Sequence, residues 1–205
     1  VAAMGTAQVA ALETVDLASL TTSNIAALGT AQVVALTSDE IVALTTAQAL
    51  SLTSDEVIAL TTAQLVSMET ADFESLTTGN IAALLTAQVF SLTSDEIVAL
   101  TTAQARSLTT AQVFALKTAQ VAALETADFV ALTSDAIAAM ATAQVVAITT
   151  AQAQSLTSTQ AQALGTAQVQ ALETVDFASI STQSLAALGT AQIVAITTAQ
   201  AQALT

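Results

Sequence analysis

Every eighth residue from Thr6 to Thr198 is serine or threonine, without exception over 25 consecutive positions. A chain that repeats this strictly on eight residues does not build one central globular core. It grows as a one-dimensional array in which each unit leans on its neighbours. With the Ser/Thr position labelled a, position d (Val1, Val9, Leu17, Ile25 and on to Ala201) is always apolar, f is always Ala or Ser, and g is always Leu, Ile or Met. The reading is therefore one continuous octad array over residues 1–205, whose function belongs to a periodic surface.

Low-complexity sequence often signals disorder, but here 54% of the residues are hydrophobic and the mean hydropathy is +0.71. Chains that stay unfolded are poor in apolar residues and rich in charge, so a folded array is expected. Sixteen acidic residues stand against two basic ones, Arg106 and Lys117, for a net charge of −14. That balance repels phosphate backbones and argues against a nucleic-acid partner. The long uncharged stretches, such as Ala136 to Ala171, are broken every few residues by Thr, Ser or Gln. None reaches the roughly 20 apolar residues that a membrane span requires. The chain opens in mid-octad at Val1 without a Met and reads as a segment of something longer.

Ala, Leu and Gln favour helix, and runs such as Thr37-Ser38-Asp39-Glu40-Ile41 carry helix-start chemistry. An uninterrupted helix is excluded by arithmetic, because eight residues at about 100° each rotate the d/g stripe by roughly 80° per octad. A break once per octad removes the drift. The expected fold is mainly α: a solenoid of very short helical segments, one per octad, with d and g inward and small f residues allowing close approach. A β-solenoid is the alternative, although d and g, three residues apart, fall on opposite faces of a strand. Two registers would cap each helix, with the N-cap at h or at a. Since h varies (Glu13, Gly29, Leu85, Lys117, Ala141) and a does not, the cap is expected at a, with h as a linker where Gly5, Gly29, Gly165 and Gly189 supply backbone freedom.

A longer period lies above the octad. Glu-Thr-(Val/Ala)-Asp-(Leu/Phe) recurs at Glu13 to Leu17, Glu69 to Phe73, Glu125 to Phe129 and Glu173 to Phe177, with the first three copies 56 residues apart. Seven octads are thus a candidate module, or two superhelical turns of three and a half octads each.

The chain has no His, Cys, Tyr or Trp, which removes the parts of nucleophilic triads, zinc sites and most acid–base pairs, and no enzyme is expected. No cofactor is expected either. The carboxylates sit at b, c and h apart from Glu74 at e, and read as helix-cap and solvated-face acids. Calcium is the one ion with candidate ligands, in the pairs Glu13/Asp16, Glu69/Asp72, Glu125/Asp128 and Glu173/Asp176. Adjacent threonines at h and a, such as Thr45-Thr46 and Thr149-Thr150, suggest a lattice- or ice-binding array. Position e is the most variable. Val34, Val42, Leu50, Ile58, Val66, Phe90, Val98 and Phe114 make an apolar stripe there, while Gln154, Gln162, Gln170, Glu74 and Arg106 at the same position imply access to water. An outward apolar stripe marks self-association.

The run Leu-Thr-Thr-Ala-Gln at Leu100 to Gln104, continued by Ser107 to Leu116, resembles octapeptide-repeat stretches of large bacterial secreted or surface proteins of adhesin or filament type. The resemblance covers the whole chain and implies an extracellular stalk, fibre or matrix component. It transfers no functional residue. The expectation is a structural repeat protein, secreted or at the cell surface, that forms a filament, layer or stalk by association with itself. The alternative is a repeated binding surface for calcium, carbohydrate or ice.

Overall fold

A computed structural model describes residues 1–204. Among them are 25 short α-helices of four to six residues and no strand, so the fold is the α-solenoid and not its β alternative. Each octad gives one helix, as in Thr62–Ser67, Thr70–Ser75 and Thr118–Ala123. Its residues run from a to f, and g turns into extended backbone that leads to the next start.

The N-cap lies at h, which corrects the expected cap at a. Thr45, Thr53 and Thr109 have extended backbone, and their hydroxyls accept the c residue's N–H in a capping box, while a is the first helical residue. Variability at h misleads because the cap does not depend on the h side chain. Where h is Gly29, Leu85 or Ala141, the c glutamine reaches back and its Oε1 accepts the h backbone N–H at 2.7, 2.8 and 2.7 Å. The glycines at h are not there for conformational freedom. No described residue has positive φ, and a Cβ at Gly165 would meet only the end of the Gln168 side chain, at 3.4 Å.

The chain divides into two compact units, Val1–Ser107 and Leu108–Thr205. Inside each, a helix packs on the third one along. In the first unit Thr46–Leu50 lies against Thr70–Ser75 and Thr78–Ala83 against Thr102–Ser107; in the second, Thr110–Ala115 lies against Ser134–Ala139 and Thr150–Ser155 against Thr174–Ser179. The core is the d/g stripe. Leu65, Phe73, Ile97, Phe129 and Phe177 at d have no exposed surface, and Leu76, Leu92, Leu132 and Leu172 at g are 3% exposed. Small f residues sit where coils approach most closely: the Ser75 hydroxyl lies 3.3 Å from the Thr46 carbonyl and the Ser179 hydroxyl 3.3 Å from the Thr150 carbonyl, each 29 residues back.

Candidate functional site

Position c holds the array together. Gln64 shows the arrangement. Its Oε1 accepts the Thr61 N–H at 2.8 Å, and its Nε2 donates to the carbonyls of Val33 at 2.8 Å and Leu36 at 2.7 Å, 31 and 28 residues back. One side chain thus caps the start of its own helix and ties off the end of a helix in the coil below, using a carboxamide's acceptor and donor at once. In the second unit Gln152 does the same with Thr149 at 2.9 Å, Val121 at 2.9 Å and Leu124 at 2.7 Å. The constant offset of 28 residues fixes the coil at three and a half octads, and two such coils span the 56 residues between copies of the Glu-Thr-x-Asp motif.

Burial at c is as deep as in the core. Gln48, Gln88, Gln104 and Gln160 are 2% exposed, and so are Glu40, Glu56, Asp72, Glu96 and Asp128. Apart from the exposed Asp16, the c acids are therefore not solvated-face acids, a correction to the sequence reading, whereas the b acids Asp39, Asp55 and Asp95 are exposed. Sequence reasoning passed over c because its acids look like ordinary first-turn residues. The signal was available all the same: glutamine fills 14 of the 25 c positions, although only a residue needed as both donor and acceptor has reason to dominate a helix's first turn.

The eight acids proposed for calcium divide by position. Glu13, Glu69, Glu125 and Glu173 at h are exposed, as is Asp16, whereas Asp72, Asp128 and Asp176 at c are buried. Asp72 Oδ1 accepts the Thr46 hydroxyl at 2.8 Å, and Asp176 Oδ1 accepts that of Thr150 at 2.6 Å. Burial pushes the Asp72 carboxyl above its ordinary value, against the pull of the Thr46 hydroxyl and with a further push from Glu69. No group of three or more Asp or Glu is gathered among the described residues. The paired threonines at h and a are not equivalent hydroxyls. At h the hydroxyl is spent on the cap, as in Thr45, which accepts the Gln48 N–H at 3.3 Å and donates to Gln48 Oε1 at 3.1 Å.

The e stripe faces outward. In the first unit Val34, Leu50 and Phe90 are 50–53% exposed, and Val42, Val66 and Val98 are also exposed. Ile58 is half-buried. In the second unit Phe114 is 62% exposed. Helix Thr30–Ala35 packs on Ser54–Ala59, and Thr62–Ser67 on Thr86–Ser91, so the e residues are carried outward on successive faces of the stacked coils. No described helix is long and apolar enough to cross a membrane.

A family model described as the ALTTAQ repeat matches five segments, residues 9–46, 65–102, 97–126, 121–158 and 169–205. The six letters of that description stand in this chain as Ala99 to Gln104, spanning the end of one octad and the h, a, b and c positions that build the next cap. Comparisons with curated proteins and with solved structures give no match.

Proposed function

Since the chain belongs to the ALTTAQ-repeat family, we propose that it is a non-catalytic structural array, secreted or held at the cell surface, that associates with itself laterally into filaments or layers. The observation that carries this reading is the outward apolar stripe at e, where Val34, Val42, Leu50, Val66, Phe90 and Val98 stand open to solvent. An apolar position that recurs with the octad repeats its contact from coil to coil, so weak individual contacts add up. The extracellular setting rests on the resemblance to secreted repeat proteins and on a chain with no Cys and only two sites for trypsin-like proteases.

Electron microscopy of the purified chain at neutral pH, paired with sedimentation velocity, tests the proposal. Ordered filaments or sheets are expected, and V66S/F90S/V98S is expected to give isolated particles. Isolated particles for the unaltered chain at every concentration would overturn it.

A further inference from the structure

Glutamine, asparagine and serine in the c slot all donate 28 residues back. Gln64 Nε2 reaches the Leu36 carbonyl at 2.7 Å, Asn80 Nδ2 the Leu52 carbonyl at 3.0 Å, and Ser184 Oγ the Leu156 carbonyl at 2.7 Å. Glu96 occupies the same slot without an N–H to give. Its Oε2 takes over the glutamine's acceptor role, receiving the Thr93 N–H at 2.7 Å and the Thr93 hydroxyl at 2.9 Å. That leaves Oε1 in the place of the carboxamide nitrogen, buried and without a hydrogen-bond partner. The register set by the glutamines puts the carbonyls of Met68 and Leu65, 28 and 31 residues back, on that side. Glu40 and Glu56 repeat the pattern, with Oε2 bonded to Thr37 and Thr53 and Oε1 buried and unbonded.

An ionised carboxylate would set a lone pair against two carbonyl oxygens in a place water does not reach, which is costly on both counts. A neutral carboxylic acid places an O–H where the other residues place an N–H. We propose that Glu96 carries its proton on Oε1 and donates it to the carbonyls of Met68 and Leu65, so that the first unit is fastened at this coil by a proton that rising pH withdraws.

The neighbouring charge on its own helix favours the neutral form. Asp95 lies beside Glu96 on its own helix; the packed helix Thr70–Ser75 carries Asp72 and Glu74, with Glu69 at its start; and Thr62–Ser67, whose end lies under the slot, carries no charged side chain. All four of these groups are acids. Burial pushes the Glu96 carboxyl above its ordinary value of 4.5, the Thr93 N–H and hydroxyl pull it back, and Asp95 adds a further push. A folded-state value above the unfolded one means that the acid's contribution is full below about pH 4.5 and is lost as pH rises through the raised value.

Thermal unfolding of the full chain between about pH 4 and pH 8 tests this, with E96Q as the variant and E74Q, which removes a charge from an exposed e position, as the control. Glutamine is the slot's usual occupant, so E96Q is expected to fold. Its midpoint should match the unaltered chain near pH 4 and exceed it near pH 8 by about 2–4 °C, a larger gap than E74Q produces. A pH-independent difference, a gap equal to that of E74Q, or a lower midpoint at every pH would overturn the proposal. The NMR shift of the Glu96 carboxyl carbon gives an independent reading. Titration above the ordinary glutamate range supports the protonated slot, and titration within or below it contradicts it.

Discussion

The two units are built to one plan, yet they differ where the plan leaves a choice. In Val1–Ser107 the c slot holds Glu40, Glu56 and Glu96 alongside its glutamines, and the e stripe carries Val, Leu, Ile and Phe. In Leu108–Thr205 no c position is Glu, and much of the e face is Gln154, Gln162, Gln170 and Gln202. The d and g positions barely respond to this contrast, because close packing tolerates only aliphatic or aromatic side chains there in either unit. Burial at d and g, together with the 28-residue clamp, therefore determines the coil, while c chemistry and the e face are free to set how each unit responds to pH and to neighbours.

The shared plan breaks most severely at d. F73A in the first unit and F129A in the second each empty a fully buried ring and should cost about 3–5 kcal/mol in urea unfolding. Next in size is the transfer of one unit's chemistry to the other. Q152E puts an acid into a slot where Gln152 now donates to Val121 and Leu124, and should destabilise by about 3 kcal/mol near pH 8 but far less near pH 4, since only the ionised form loses the donor. Q64A and Q152A remove the clamp from equivalent places in the two units, taking the acceptor from a helix-start N–H and the side-chain donor from the Leu36 or Leu124 carbonyl, while the Val33 and Val121 carbonyls keep the N–H of Leu36 and Leu124. Each should cost about 1–3 kcal/mol by chemical denaturation, with near-equal effects in the two units. The smallest effect is a gain. L85T supplies a hydroxyl that accepts the Gln88 N–H, as Thr61 does for Gln64 at 3.2 Å, and should raise stability by about 0.5–1 kcal/mol.

Much of this was legible in the repeat. The Ser/Thr period and the apolar d and g positions led to one short helix per octad, and the mixture of Phe90, Glu74 and Arg106 at e pointed to an outward face. Two things were not. Variability at h points away from a capping position and towards invariant a, whereas half of the capping box joins the c side chain to the h backbone N–H and holds whatever the h side chain is. The burial of Glu40, Glu56, Asp72 and Glu96 was hidden for a related reason. A residue three places into a helix looks solvated until another coil lies under it, and that coil is supplied by residues 28 positions away, beyond any local pattern. The 56-residue return of Glu-Thr-x-Asp and the dominance of glutamine at c were its traces in the sequence.

The 28-residue clamp is the claim on which the coil, the slot and its proton all depend. Its most direct test is the NMR coupling transmitted through a hydrogen bond, in protein labelled with 15N at glutamine side chains and 13C at leucine carbonyls. Correlation of Gln64 Nε2 with the Leu36 carbonyl carbon, and of Gln152 Nε2 with that of Leu124, is the predicted result. Gln64 and Gln152 carboxamides that show no such correlation and exchange their protons freely with water would contradict it.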